Sequence, residues 1–384
     1  MKGLWKFGLL FGILLFLGTC FESKAMSESE EDDWLFDSLL EEVDFSSLDE
    51  LLAEQDATKD FDFRGLVNSL IAGEDIDKAE LFHSLKDIFL REVDANRDYI
   101  IKILLLVFVF ALLYQFANVF GHAAVTDISF YIVYMILLAL LMKSFMLLSG
   151  ILTDTLNVML DFMRALMPAF CLTMVFSTGT VSAMGFYELT LLLLYIIEML
   201  LVYVAVPAVH IYIMLELLNH LTKEDMISRM TALIKGAVEW LLKFLLTLVV
   251  GVNVVQGLLT PVIDSFKTSM FARTASMLPG FGNSVNAVAE IMVGSGIIVK
   301  NSVGLAGIIL LLILCAGPVL KVGVMTLFYK LGAAAIQPVA DKRLSGCISG
   351  MGEGARLMGK IMVMAMTMLF ITIALVTAST TWNR

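Results

Sequence analysis

The sequence predicts an all-α, polytopic membrane protein of six to eight spans, with a small acidic helical region outside the membrane. Three observations predict this. Of 384 residues, 59% are hydrophobic and 16% charged, and the mean hydropathy is +0.87; a soluble domain is about 45–50% apolar and about 25% charged. Apolar runs of about 20 residues, the length that crosses a bilayer as a helix, recur from residue 99 onward. The formal net charge of −11 is concentrated in one segment: residues 26–98 hold 23 acidic and six basic residues, whereas 1–25 and 99–384 are weakly basic. This composition excludes a soluble enzyme and a long disordered chain. The acidic balance excludes nucleic-acid binding, which needs clustered basic charge.

Residues 1–25 read as a signal peptide. Lys2 and Lys6 make a basic start, 7–18 form an apolar run too short to span comfortably, and Ser23-Lys24-Ala25 fits a small-x-small cleavage site. Cys20 follows Gly18-Thr19, a poor lipidation match. The other cysteines, Cys171, Cys315 and Cys347, are far apart and form no C-x-x-C pair, so neither a disulfide framework nor a zinc site is predicted.

In the acidic region, 26–98, residues 26–33 repel one another and are predicted disordered. Leu35, Leu39 and Val43 then recur at helical spacing. Ser47-x-x-Glu50 has the pattern of a capping box ahead of Leu51 and Leu52. Phe63, Leu66, Val67 and Leu70 form a second apolar stripe, with Gly73 as its C-cap. Leu81, Leu85, Ile88 and Phe89 form a third, running directly into the first span. Helices this short are marginal alone, which predicts packing against the membrane body or a partner.

The membrane body, 99–384, has strong candidate spans near 99–120, 128–149, 187–206, 236–259, 303–320 and 357–378, and weaker ones near 165–184 and 322–340. Tyr131, Tyr134, Tyr329 and Trp382 stand near span ends, as interfacial aromatics do. Within 151–164, Asp154, Asn157, Asp161 and Arg164 make one polar stripe, predicted to lie on the interface or to line a water-filled space. Residues 260–302, broken by Pro261, Pro279-Gly280 and Gly294-x-Gly296, read as a re-entrant or interfacial helical pair. A cleaved signal puts 26–98 outside the cytoplasm. Eight spans then place Lys267, Arg273, Lys300, Lys342, Arg343 and Arg356 inside, and Arg164, Lys223, Arg229, Lys235, Lys321 and Arg384 outside. That balance leaves the positive-inside rule silent. Gly346, Gly350 and Gly354 repeat the small-xxx-small spacing twice, and Gly304 and Gly307 open another span; such residues let helices approach closely, within one chain or between chains.

The sequence contains no Walker A pattern, no H-E-x-x-H and no G-x-S-x-G; His83, His122, His210 and His220 are scattered. No catalytic, cofactor-binding or metal-ligating residues are predicted, and the chain reads as a non-enzyme. Intramembrane ionisable and polar residues are the remaining functional candidates, because charge is costly in lipid. Glu198 is mid-span. Glu188, His210 and Glu216 share its apolar stretch, which Pro207 is placed to kink. Glu239 and Lys243 are spaced to neutralise each other, and Asn253 and Gln256 to bond across helices.

Several stretches carry a family resemblance: Lys300-Asn301-Ser302-Val303-Gly304-Leu305-Ala306-Gly307, Gln337-Pro338-Val339-Ala340-Asp341-Lys342-Arg343, Gln256-Gly257-Leu258-Leu259-Thr260-Pro261-Val262-Ile263-Asp264, and Ser69-Leu70-Ile71-Ala72-Gly73-Glu74 followed by Phe89-Leu90-Arg91-Glu92. Together they resemble the stage III sporulation protein AE family from about residue 61 to the C-terminus. The second stretch has Gln337 where many members have an acidic residue. The resemblance implies a role in endospore formation in Firmicutes: a membrane component, on the mother-cell side in the outer forespore membrane, of a secretion-like channel complex between mother cell and forespore, needed for development after engulfment. It implies as partners the other membrane and ring-forming products of the operon, a secretion-type ATPase and a forespore channel protein, with the lipid bilayer as solvent and no cofactor. Two other functions compete: a self-sufficient secondary transporter using intramembrane carboxylates, and a passive scaffold that recruits ring proteins through 26–98.

Overall fold

The structure is a computed structural model. It describes residues 40, 43–55 and 62–72, isolated helical positions between 90 and 108, and then 123–178, 181–220, 227–275, 282–338 and 342–378. Within the long helices, side chains are described for 131–132, 134–174, 189–219, 228–255, 294–336 and 342–377. The signal-peptide reading, the third amphipathic stripe, Gly73 and Trp382 lie outside the described residues, as does the 99–120 span apart from helical positions 101, 105 and 108.

Two short helices come first, α1 (Ser46–Glu54) and α2 (Phe63–Ile71). The capping-box reading of Ser47 is corrected. The N-cap position is Phe45, two residues earlier, and it is the Asp44 carboxylate that accepts from the Ser46 amide, at 2.9 Å. Asp62 caps α2 by accepting from the Gly65 amide at 2.9 Å. That bond satisfies one of the four free amides at a helix start. Leu48, Phe63 and Val67 are completely buried, and the Phe45 and Phe63 rings meet with centroids 5.4 Å apart. The pair gains this burial by lying on the long helices, α1 on α3 and α2 on α7, as their marginal length requires.

The long helices are α3 (Ala123–Thr178), α4 (Val181–Leu200), α5 (Val206–Asn219), α6 (Ser228–Ala275), α7 (Gly282–Ile336) and α8 (Lys342–Ala378). A π-helical turn, Leu201–Ala205, joins α4 to α5 without a break. Pro207, at the start of α5, explains it. Proline has no N–H, and its ring clashes with the carbonyl four residues back. The chain widens ahead of it, so that the Val206 amide bonds the Leu201 carbonyl five residues back.

Among the described residues five segments are long and apolar enough to cross a membrane: Tyr134–Met174, Leu189–Asn219, Ser228–Val255, Gly294–Ile336 and Lys342–Thr377. Two pairs of predicted spans are single helices. Residues 128–149 and most of 165–184 belong to α3, and 303–320 and most of 322–340 fall on α7. Residues 151–164 do not turn, because their polar side chains occupy one face and interrupt no backbone bond. Likewise 260–302 is chiefly the end of α6 and the start of α7. At 1.5 Å per residue the 41 residues of Tyr134–Met174 are about 60 Å long, about twice the hydrocarbon thickness.

Helices α7 and α8 form the centre, packed on each other, and α3, α4–α5 and α6 surround them. Lipid tails are as apolar as leucine, so close packing rather than water exclusion holds such a bundle. Gly304 faces Thr377 of α8, and Gly307 faces Phe162 and Leu166 of α3. Tyr134 and Tyr329 are not interfacial: both are buried. The Tyr134 hydroxyl donates to the Leu217 carbonyl at 2.5 Å, and Tyr329 bonds Ser144. Cys171, Cys315 and Cys347 are buried and form no disulfide among the described residues.

Candidate functional site: a charged seam at one end of the bundle

The α5–α6 and α7–α8 turns lie at the same end of the bundle. Asn219 Oδ1 closes the first by accepting from the Ile227 amide at 3.0 Å, and the Ser345 hydroxyl donates to the Ala333 carbonyl at 3.3 Å across the second. From these turns a charged seam runs inward. On α6, Lys235 and Glu239 are one turn apart. On α8, Glu353, Arg356 and Lys360 stand on successive turns, so the two stripes face each other.

Glu353 is the hub. Its Oε2 accepts from Lys235 Nζ at 2.9 Å and from Arg356 at 2.5 Å, and its Oε1 lies 3.2 Å from Lys330 Nζ on α7. Lys360 pairs with Glu239 at 2.5 Å. The expected Glu239–Lys243 pair is therefore corrected: Glu239 bonds across helices, and Lys243 points outward. Four cations share two carboxylates, all between about a quarter and two-fifths exposed. These contacts also correct the eight-span grouping of basic residues. Lys235, predicted outside, touches Glu353 beside Arg356, predicted inside. Lys300, grouped with Arg356, lies at the opposite end.

The three predicted glycines build the other wall of the seam. Residues 346, 350 and 354 fall on one face of α8, and α5 lies against it. A Cβ at Gly346 would stand 2.6 Å from His220 Cε1, one at Gly350 would stand 2.7 Å from Glu216 Cγ, and one at Gly354 would run into Ile213. The glycine spacing therefore serves packing within this chain. Glu216 and His220, 3.7 Å apart and one turn apart on α5, come to the seam with them.

The remaining predicted candidates lie elsewhere. Glu198 on α4 is fully buried, and neither carboxylate oxygen has a hydrogen-bond partner among the described residues. Cys315 of α7 lies close enough to interact with it electrostatically. His210 Nε2 meets Ser149 Oγ of α3 at 2.6 Å, and its ring stands edge-on to Phe145. Asn253 Nδ2 donates to the Val249 carbonyl at 2.8 Å and to Thr372 Oγ1 at 3.1 Å, which ties α6 to α8. Glu188 and Gln256 lie on α4 and α6, with side chains outside the described residues.

Sequence reasoning missed the Glu353 hub and Lys300. The spacings Lys235-x-x-x-Glu239 and Glu353-x-x-Arg356-x-x-x-Lys360 were the available signal for the first. Lys300 is fully buried, and its Nζ donates to the Thr377 carbonyl at 2.9 Å. Thr377 lies in the last turn of α8, where carbonyls lack helical partners and the helix dipole favours a cation. The seam can hold helix ends together and attract anions. Among the described residues, no cluster of three His, Cys, Asp or Glu could hold a metal ion.

The model of the family described as Stage III sporulation protein AE matches residues 61–380. The chain is 25% identical over 299 residues to the Stage III sporulation protein AE of Bacillus subtilis (strain 168), covering 77% of this chain and 75% of that one. No solved structure matches. The match covers nearly the whole membrane body and extends into the acidic region, and the bundle is of apolar membrane-crossing helices: the chain belongs to the stage III sporulation protein AE family.

Proposed function

We propose that the chain is a non-enzymatic membrane component of the secretion-like channel complex between mother cell and forespore, required for endospore development after engulfment. The family match over residues 61–380 carries this reading. The chain sits in the outer forespore membrane and assembles with the other stage III operon products, a secretion-type ATPase and a forespore channel protein.

The charge distribution supports an orientation. Arg229, Lys235, Lys330, Lys342, Arg343, Arg356 and Lys360 gather at the seam end, against Arg164, Lys267, Arg273 and Lys300 on the halves of the helices away from it. The positive-inside rule then makes the seam end cytoplasmic. One apolar stretch, 99–120, separates 26–98 from the start of α3 at that end. Residues 26–98 are thus extracytoplasmic, as a cleaved signal requires, and six crossings leave the C-terminus outside. An ATPase would meet the seam end. Deleting the gene in the native spore former is expected to arrest development after engulfment; normal spores from the deletion strain overturn the proposal.

A further inference from the structure

Helices α3 and α4–α5 run antiparallel in a register fixed by two contacts. Arg164 Nη2 donates to the Tyr195 hydroxyl at 2.8 Å, and Ser149 Oγ meets His210 Nε2 at 2.6 Å. In both pairs the residue numbers total 359, so between these two contacts each α3 residue lies level with the α4–α5 residue that completes that total. Asp154 to Arg164 therefore span the same depth as Tyr195 to Ala205, and the midpoint of the apolar segment Leu189–Asn219 is level with residue 155.

At that depth the two neighbours expose opposite chemistry. On α4–α5 the exposed residues are Ile196, Met199, Tyr203 and Val204, between 47% and 70% accessible, as on a lipid-facing helix. On α3 they are Asp154, Asn157, Asp161 and Arg164. Nearer its start the outer face of α3 is chiefly apolar, at Ile132, Met135, Ile136, Met146 and Leu147, and the exposed Lys143 on it lies about 18 Å from the level of residue 155, where a lysine reaches the interface. Within the hydrocarbon depth the polarity thus begins at the middle of the membrane and continues toward the end away from the seam. Arg164 is held by Asp161 at 2.8 Å and by Tyr195, over whose ring it stacks at 5.2 Å. Among the described residues no side chain bonds Asp154 or Asn157. Lipid does not solvate two carboxylates, an amide and a guanidinium at such depth.

We infer that the Asp154–Arg164 face of α3 lines a water-filled passage through half of the membrane, open to small hydrated cations. Two carboxylates against one guanidinium give the face a net negative charge, which favours cations over anions. One helix face cannot enclose water, so the rest of the wall comes from other chains of the assembly proposed above, and the inference rests on that reading.

The test is cysteine accessibility in the full chain, in membrane fragments open on both faces and taken from sporulating cells. Asp154→Cys, Asn157→Cys, Ile196→Cys and Met146→Cys are exposed to a small cationic methanethiosulfonate, and the native chain sets the background. Sporulation of each strain confirms that the variant is folded. The expected result is fast modification at 154 and 157 and only background at 146 and 196. Background at 154 and 157 means that lipid, the 99–120 stretch or a partner covers the face, and it overturns the passage. Modification at 196 as fast as at 154 puts that whole depth in bulk water, and overturns it equally. A deletion strain that fails to sporulate while 154 and 157 stay unmodified refutes the passage and leaves the channel role intact.

Discussion

Replacing glycines one at a time by alanine should change stability with a sign set by what each Cβ meets. In a helix interior Gly→Ala gains about 1 kcal/mol from backbone propensity alone. Overpacking a filled interface costs about 1–3 kcal/mol. At Gly236 and Gly251 of α6 nothing lies within 4 Å of the new carbon, so the propensity gain stands. At Gly354 the carbon runs into Ile213, a β-branched and fully buried side chain that cannot rotate away, so the cost is at the upper end of that range and the net loss is up to about 2 kcal/mol. At Gly346 the obstacle is the far end of His220, 24% exposed and able to swing, so gain and cost come out near balance. Glu216 beside Gly350 is 20% exposed and gives an intermediate result. Thermal unfolding of the full chain in mild detergent measures the order. The buried thiols of Cys171, Cys315 and Cys347 make a thiol-reactive dye a direct readout of opening. A Gly354→Ala protein as stable as Gly251→Ala would show that α5 is not seated on that face of α8.

Three further outcomes are expected. Glu353→Gln leaves Lys235, Lys330 and Arg356 facing one another without their carboxylate and costs about 1–3 kcal/mol after allowance for partial exposure. The exchange Lys235→Glu with Glu353→Lys recovers part of that loss in a melting curve, whereas two independent losses would rule out the contact. Away from the membrane-crossing segments, the bond from Ser46 holds the Asp44 carboxyl below the ordinary carboxylate range. That cap contributes above the unfolded value of about 3.9 and is lost as pH falls through the lower folded value. Hydrogen exchange at the Ser46 amide should therefore quicken on acidification and lose this pH dependence in Asp44→Asn. Finally, the purified chain alone in liposomes should show no ion-coupled uptake; uptake abolished by Glu198→Gln would establish the secondary-transporter reading instead.

Helical class, membrane residence and family were legible in the sequence because apolar run length and a few ordered motifs carry them. The number of crossings was not. Residues 151–164 and the surroundings of Pro318 interrupt the apolar pattern, yet the helix continues through both. A one-dimensional apolar run cannot distinguish two spans from one helix of about 60 Å. The glycine repeat on α8 was legible as a close approach, whereas its occupant, α5, depended on the register of two antiparallel helices. Glu198 stood out because charge inside an apolar run is conspicuous anywhere. Glu353 did not, because it sits in the Gly-rich start of α8, and its three cations come from three places in the sequence.

The position of α7 and α8 has a consequence for synthesis. The helices against which the others lean are the last to leave the ribosome. Until they arrive, Ser144 lacks Tyr329 and Lys235 lacks Glu353, and α5 has no glycine face to rest on. The early helices must therefore wait in the bilayer as a loose set with polar groups unmatched. A chain cut before α8 would keep most of its spans and lose the surface that gathers them. Loss of even the last turn of α8 would leave Lys300 buried with no carbonyl to meet.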